Sequence, residues 1–236
     1  MYGSAFCKVY NEFGWNYFPR AFGEQLLEWL RRNNVEVKNS LDLGCGTGVL
    51  CETLYEAGID ASGMDLSENM IDIARRSKPE LHYDVANMIT YRPEKKFDLV
   101  TCTGDALNHI IEPDDLKRIF DNVYAYLQKG GHFVFDILNE GEVNPGEPFD
   151  LDYDATTRAQ FLITRNSEGV INLKTSVYEN GELQFEENIT EVVHEPEMIC
   201  DLLRKSGFEV LQCADQLLSD AENHGTTWFI IARKPA

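Results

Sequence analysis

The sequence predicts an α/β fold, in which a doubly wound, mostly parallel sheet carries an antiparallel β insertion after its fifth strand. Three observations indicate this fold. A glycine-rich turn at 41–48 follows an apolar run, Asp65 closes the next apolar run, and apolar runs alternate with helix-periodic segments as far as residue 138. Strands that alternate with helices favour right-handed crossovers and a parallel sheet. Ligands are therefore expected at the carboxyl edge of that sheet.

Hydrophobic periodicity places the elements of the first half of the chain. In chain order, we predict a helix over 22–33, a strand ending at Leu43, a helix over 49–57, a strand ending at Asp65, a helix after Ser67, strands over 81–85 and 97–103, a helix opening at 112–115 and a strand over 132–138. Ser67 is a suitable N-cap, and the acids at 112–115 suit the positive end of a helix. Lys129, Gly130 and Gly131 are predicted to end the last helix.

The second half begins with a change of pattern. Residues 144–148 hold two prolines and a glycine, which is typical of a linker. Apolar residues then alternate with period two over 157–194, and Asn180-Gly181 is a strong hairpin signal. We predict three or four antiparallel strands here, then a helix over 196–206 and strands over 209–213 and 227–233. Residues 144–194 would thus form an insertion in a domain built from 1–143 and 195–236.

Composition limits the partners and the compartment. The net charge is -19, from 40 acidic and 21 basic residues, whereas nucleic acid or an anionic membrane would require a basic face. The six cysteines form no Cys-x-x-Cys pair, which disfavours a disulfide framework or a zinc site and suggests reduced thiols. With neither signal peptide nor bilayer-spanning run, we expect a cytoplasmic protein that binds a small molecule and no metal. A homodimer is left open.

The spacing of the glycines distinguishes between two classes of cofactor. A dinucleotide-binding loop places its third glycine where this chain has Val49, whereas the third glycine here is Gly48. Asp42, just before the glycines, would repel a pyrophosphate but could orient an ammonium group. S-adenosylmethionine carries an ammonium and a sulfonium but no phosphate. The loop therefore suits this cofactor better than a nicotinamide dinucleotide; an ordinary strand-to-helix turn is the structural alternative.

The chain resembles the class I S-adenosylmethionine-dependent methyltransferases in five ordered blocks. These are LDLGCGTG at 41–48, GMDLSENMI at 63–71, YDV at 83–85, FDLVTCTGDALNHI at 97–110 and LQKGGHFVFD at 127–136. The resemblance implies a seven-stranded, Rossmann-like methyltransferase sheet. The insertion resembles that of amino-sugar N-methyltransferases, which implies a small-molecule acceptor.

Cofactor contacts are expected where strands end at the carboxyl edge. Asp65 can accept hydrogen bonds from both ribose hydroxyls, although helix capping is its alternative role. The resemblance implies that Asp84 accepts from the adenine amino group with Val85 beside the ring, although a turn role is also open. The expected cofactor-binding residues are Tyr2, Asp42, Gly44, Cys45, Gly46, Gly48, Asp65, Leu66, Asp84, Val85, Thr101, Cys102 and Asp105.

His109 and Tyr10 are the catalytic candidates. His109 lies in the loop after the fourth strand, which would face the transferable methyl group, and a neutral imidazole can accept a proton near physiological pH. A purely structural hydrogen bond to the backbone is its alternative. The family places an N-terminal tyrosine over the cofactor, so Tyr2 and Tyr10 are expected to form a lid. Family members often have an aspartate where this chain has Asn11, which puts an acidic role there in doubt.

These observations favour methyl transfer to a small molecule, with an amine slightly preferred, by direct in-line displacement. The alternatives are a nicotinamide-dependent oxidoreductase and a non-catalytic S-adenosylmethionine-binding protein. The insertion leaves the fifth strand at its carboxyl end, so we expect it to cover the pocket as a substrate cap. A dimerisation sheet that faces away is the alternative.

Overall fold

The computed structural model describes residues 6–7, 10–11, 14–138, 146, 148–167, 169–218 and 227–236. The helices are α1 (Tyr17–Arg32), α2 (Val49–Glu56), α3 (Glu68–Ser77), α4 (Pro113–Tyr126) and α5 (Pro196–Lys205). The strands are β1 (Asn39–Leu43), β2 (Asp60–Asp65), β3 (His82–Val85), β4 (Phe97–Cys102), β5 (Leu127–Leu138), β6 (Phe149–Asp152), β7 (Thr157–Arg165), β8 (Val170–Glu179), β9 (Glu182–Val192), β10 (Glu209–Ala214) and β11 (Thr227–Arg233). A short 3-10 turn covers Ala106–His109.

Seven strands form one mixed sheet in the order β10-β11-β5-β4-β1-β2-β3. Strands β1 to β5 are parallel, and β11 lies antiparallel to both β5 and β10. The predicted fold class is thereby confirmed. From β1 the chain winds outward through β2 and β3 on one side, and through β4 and β5 on the other. The crevice beyond the carboxyl ends of β1 and β4 is therefore the topological switch point, where open α/β sheets bind ligands.

Helices cover both faces of this sheet. Helices α4 and α5 pack one face, where Phe120 and Leu203 meet Phe133 of β5 in a fully buried cluster. Helices α1, α2 and α3 pack the other face, where Leu26 and Ile71 are fully buried. Burial of apolar surface on both faces explains why the central strands read as apolar runs in the sequence.

The insertion forms a four-stranded antiparallel sheet in the order β6-β7-β8-β9. Asn180 and Gly181 join β8 to β9 with φ angles of 52° and 82°, as the predicted two-residue hairpin requires. Strand β6 was not predicted, because all four of its residues are exposed and show no burial periodicity. Of the predicted linker, residues 144, 145 and 147 lie outside the described residues, as does the first proposed domain boundary, between residues 143 and 144.

The predicted end of α4 was wrong. The helix ends at Tyr126, and Lys129–Gly131 belongs to β5, which begins at Leu127 instead of His132. Distant partners cause this early start. Leu127 pairs with Phe97 of β4, and Gly130 and Gly131 exchange two backbone hydrogen bonds of 2.9 Å with Lys234.

In the part of the chain that the structure describes, no helix is both long and apolar enough to cross a bilayer.

Candidate active site

A cavity of about 450 Å³ lies at the switch point of the main sheet. Its volume falls in the range typical of small-molecule sites. The loops after β1, β2, β3 and β4 all contribute to the lining, together with Tyr10, His109 and residues 188–190 of β9. We call the residues before α1 the N-terminal segment. The antiparallel sheet and the N-terminal segment therefore meet the carboxyl edge of the parallel sheet at one cavity.

The glycine-rich loop after β1 presents its backbone to this cavity. Gly44, Cys45 and Gly46 line it, and a Cβ on Gly46 would meet no atom within 4 Å. Gly46 has a φ of 53°, which glycine adopts without steric cost. Gly48 does not line the cavity; a Cβ there would lie 2.6 Å from the hydroxyl oxygen of Tyr83. Gly48 is thus required for packing, while Gly46 leaves room beside the loop.

Asp65 joins the glycine-rich loop to the start of α3. Its Oδ2 accepts from the backbone N–H of Gly46 at 2.9 Å, and its Oδ1 accepts from the N–H of Ser67 at 2.8 Å. The helix N-cap is Ser67, whose hydroxyl accepts from the Met70 N–H. Burial raises the pKa of Asp65, and the backbone hydrogen bonds oppose that rise. Each carboxylate oxygen has a further lone pair, so Asp65 keeps the capacity to accept from a pair of hydroxyls.

Asp42 brings a buried carboxylate to the floor of the same cavity. Its side chain is 2% exposed, and its Oδ1 accepts from the Thr101 hydroxyl at 2.7 Å. Its Oδ2 has no hydrogen-bond partner among the described residues. Burial raises the pKa of Asp42 to about 7, the hydrogen bond from Thr101 opposes this, and the negative charges of Asp65 and Asp136 add to it. An ammonium group would supply the missing donor and the counter-charge.

Asp84 and Val85 lie outside the lining of the cavity, so their expected contacts with the adenine stay predictions. Asp84 accepts from the Tyr91 hydroxyl at 2.6 Å, and its other oxygen lies 3.1 Å from Nε2 of His82. Val85 pairs with Asp65 at the end of β3 and is 46% exposed. Residues 86–89, just beyond the strand, line the cavity instead.

The other expected cofactor residues divide into two groups. Cys45 and Leu66 line the cavity. Thr101 and Cys102 are fully buried inside β4 and outside the lining, so Thr101 reaches the site only through its bond to Asp42. Asp105 also lies outside the lining, whereas Thr103 and Gly104 belong to it. Tyr2 lies outside the described residues.

Sequence reasoning missed Asp136, which is fully buried on β5. Its two oxygens accept from the backbone N–H groups of Gly104 and Asp105, each at 3.0 Å. Gly104 and Asp105 have φ angles of 71° and 60°, so this carboxylate stabilises a left-handed turn just after the carboxyl end of β4. Burial raises the pKa of Asp136, and these hydrogen bonds oppose the rise. The available signal was an acid inside the apolar run of β5.

His109 lies in the turn after β4 and faces both the cavity and β9. Its Nδ1 is 3.2 Å from the carbonyl oxygen of Thr190, and its Nε2 is 3.6 Å from Oε1 of Glu191. Neighbouring Asn108 is fully buried; it donates to the Val192 carbonyl at 2.7 Å and accepts from the Leu138 N–H at 3.1 Å. The turn that carries His109 is therefore fixed between β5 and β9.

Tyr10 lines the cavity from the N-terminal segment. Burial raises its pKa above the ordinary tyrosine value, and the charges of Asp105, Asp65 and Asp136 raise it further. Tyr10 is therefore a neutral hydroxyl at physiological pH and not a base.

Two contacts anchor the same segment to both sides of the site. The Thr47 hydroxyl in the glycine-rich loop donates to Oδ1 of Asn11 at 2.9 Å. Trp15 packs edge-on against Phe161 of the antiparallel sheet, with ring centroids 5.8 Å apart. The N-terminal segment thus connects the glycine-rich loop to the insertion.

The lining is acidic. Asp42 and Asp65 contribute carboxylates, and none of the described residues that line the cavity is Lys or Arg. The described His, Cys, Asp and Glu side chains form no group of three that could hold a metal ion. The arrangement provides carboxylates, backbone amides and one imidazole for a small ligand that carries positive charge.

Residues 41–131 match the family model of a methyltransferase domain. A protein of Geobacillus sp. (strain WCH70) that is named as a methyltransferase is 32% identical over 135 residues; the match covers 55% of this chain and only 53% of that protein. YqeM of Bacillus subtilis (strain 168), also named as a methyltransferase, is 28% identical over 222 residues, which cover 89% of this chain and 87% of YqeM.

Solved structures share the fold over most of the chain. An S-adenosylmethionine-dependent methyltransferase from Clostridium acetobutylicum ATCC 824 superposes with a TM-score of 0.81 at 25% identity, over 91% of both chains. CalS10, an amino pentose methyltransferase from Micromonospora echinaspora, superposes with a TM-score of 0.78 at 18% identity, over 99% of this chain and 98% of CalS10. The latter likeness is one of fold alone.

Proposed function

We propose that the chain is a class I S-adenosylmethionine-dependent methyltransferase, with S-adenosylmethionine as its cofactor, and that it methylates a small-molecule amine. The observation that carries the proposal is the charge of the cavity. Its lining holds Asp42 and Asp65 and, among the described residues, no Lys or Arg. Such a site favours a cationic or neutral acceptor and repels a phosphorylated or carboxylated one. The amino pentose acceptor in the name of CalS10, which has the same fold, agrees with this choice.

The fit of the residues to the cofactor supports the binding part of the proposal. Asp42 would hold the ammonium group with its unpartnered Oδ2, and Asp65 would accept from the ribose hydroxyls. A ligand can approach the loop closely at Gly46, and Gly44 lines the cavity beside it. Met64 and Leu66 line the same cavity and would contact the adenine. When bound, S-adenosylmethionine supplies a methyl group whose bond to sulfur breaks, with its electron pair left on sulfur, as the acceptor nitrogen bonds to the carbon.

The residues of the chain then have to orient the acceptor, remove a proton and exclude water. We assign proton acceptance to His109, which faces the cavity from a turn fixed between two strands. Tyr10 stays protonated and would donate a hydrogen bond to the acceptor or to the cofactor. Strand β9 and the N-terminal segment line the cavity beside these two residues, so we assign the insertion the role of an acceptor cap.

Matched acceptors test this function. The protein would be incubated with S-adenosylmethionine and with pairs of primary amines and alcohols on the same carbon skeletons. Formation of S-adenosylhomocysteine and the mass gain of one methyl group would be measured together. We expect methylation of nitrogen in at least one amine and none in its alcohol partner.

Two results would contradict the proposal. Methylation of alcohols while their amine partners stay unreacted would reassign the acceptor. Tight binding of S-adenosylhomocysteine without turnover on any acceptor in the panel would favour the non-catalytic alternative.

A further inference from the structure

We propose that Glu191 of β9 is a positioning residue for proton transfer, because its carboxylate stabilises His109 after the imidazole takes a proton from the ammonium form of the acceptor. The inference rests on the proposed function and identifies which part of the insertion serves the reaction. Glu191 does not line the cavity itself. It therefore acts only through His109.

The hydrogen bonds of the ring indicate which nitrogen accepts the proton. Nδ1 lies 3.2 Å from the carbonyl oxygen of Thr190, and a carbonyl oxygen can only accept. Nδ1 therefore carries the hydrogen in the neutral ring, and Nε2 is the basic nitrogen. The same Nε2 is 3.6 Å from Oε1 of Glu191. A proton taken up at Nε2 thus arrives beside a carboxylate, and the resulting imidazolium forms an ion pair with it.

Burial makes this pair stronger than one at the surface. The side chains of Glu191 and His109 are 15% and 31% exposed. Burial raises the pKa of Glu191, and attraction to protonated His109 opposes the rise. An unpaired buried carboxylate is costly, so the charges of the two residues support each other.

The other titratable groups near the ring act in the same direction or not at all. Asp65 reaches the ring from the end of β2, and its charge also attracts a protonated His109. Tyr10 lines the same cavity from the N-terminal segment and stays neutral. Asp105 is the residue just before the turn that carries His109, and its charge acts on Tyr10. Glu191 is the carboxylate that pairs with Nε2, at 3.6 Å.

The proton step balances without a further reactant. One N–H bond of the acceptor ammonium breaks, its electron pair stays on nitrogen, and the proton bonds to Nε2 of His109. That nitrogen pair is the one that attacks the methyl carbon. After the product leaves, His109 releases its proton to solvent.

Glu191→Gln tests the inference, since glutamine keeps the size of the side chain and removes its charge. We expect the plateau kcat for the amine to fall by about tenfold, a fraction of the effect of a complete general base. The acid limb of the kcat profile should move to lower pH, because the imidazolium loses its counter-charge and releases its proton more easily. The Kd for S-adenosylhomocysteine should stay unchanged.

Two further variants make the result specific. Glu191→Asp retains the carboxylate and should keep the acid limb near its wild-type position. Glu182→Gln makes the same charge change at an exposed position at the start of β9 and should leave rate and profile unchanged. Thermal unfolding of each variant shows whether it is folded.

The outcomes separate the two proposals. If wild type methylates an amine while Glu191→Gln keeps both the plateau and the acid limb, the role of Glu191 is refuted and the proposed function stands. If wild type methylates no amine, the proposed function fails and this inference fails with it.

Discussion

The two sides of the cavity are built in different ways. On the proposed cofactor side, the glycine-rich loop and Asp65 are held together mainly by backbone groups at strand ends, such as the bond from the Gly46 N–H to Asp65, 19 residues away. On the proposed acceptor side, side chains of the turn after β4 bind to β9, as in the bond from Asn108 to Val192, 84 residues away. The first arrangement follows from the parallel sheet itself. The second depends on how an insertion docks onto that sheet.

Substitution of Asp42, on the cofactor side, should have the largest effect on cofactor binding and so distinguish the two sides. Asp42→Asn removes the charge that would hold the ammonium of the cofactor but preserves an acceptor for Thr101. We expect the free energy of binding of S-adenosylmethionine to weaken by roughly 2–3 kcal/mol, the value of a hydrogen bond to a charged group. Calorimetry measures this loss. The control is Asp60→Asn, at the exposed opposite end of β2. An equal loss of binding free energy in both variants would refute the proposal that Asp42 holds the ammonium group.

Asp65 should contribute slightly less to cofactor binding. Asp65→Ala removes the acceptors for two ribose hydroxyls, and we expect a loss of roughly 1–3 kcal/mol in binding free energy. It also leaves the N–H groups of Gly46 and Ser67 without their present acceptor, so unfolding must be measured in parallel. Asp65→Asn retains one acceptor oxygen and should recover part of the affinity. An unchanged dissociation constant for Asp65→Ala, with the fold intact, would make Asp65 structural.

Asn108 tests the acceptor side. Asn108→Ala removes the bonds to Val192 and Leu138, so we expect a loss of roughly 1–2 kcal/mol in the free energy of unfolding. The KM for the amine should rise, because the turn that carries His109 loosens. The Kd for S-adenosylhomocysteine should change much less. Equal changes in both constants would show that the two sides are not separable.

A separate effect is expected in the ligand-free protein, whose stability should depend on pH through Asp42. The pKa of Asp42 is raised from 3.8 to about 7 in the folded state by burial, so the folded state holds a proton that the unfolded chain releases. The contribution of Asp42 to stability is therefore present below about pH 4 and is lost as the pH rises towards 7. Asp42→Asn should remove this loss, because the amide does not ionise. Urea unfolding at pH 5 and pH 8 measures the change in the free energy of unfolding between the two pH values. The same change in wild type and in Asp42→Asn would contradict the raised pKa of Asp42.

The same contrast explains what the sequence could predict. The strand ends at Leu43 and Asp65, the N-cap at Ser67 and the hairpin at Asn180-Gly181 depend on local patterns, and all were predicted as the structure has them. The early start of β5 was missed because it depends on pairing with Phe97 and Lys234, far along the chain.

The residues of the candidate site also divide into those that a local pattern predicts and those that depend on long-range contacts. The glycine-rich loop and Asp65 lie in one motif, whereas Asp136 and Glu191 act on partners that come close only in the folded chain. Asp84 shows what a strand pattern leaves out. Its position after β3 suggested a ligand contact, and the structure adds two protein partners, Tyr91 and His82, one on each carboxylate oxygen.

The proposed function requires cofactor and acceptor to meet in the cavity between the glycine-rich loop and β9. A crystal structure of the protein with S-adenosylhomocysteine would show whether they can. We expect the amino group of this ligand on Asp42, its ribose hydroxyls on Asp65 and its sulfur directed to the side lined by Tyr10 and His109. A ligand bound outside this cavity, or one whose sulfur faces away from His109, would refute the proposed function.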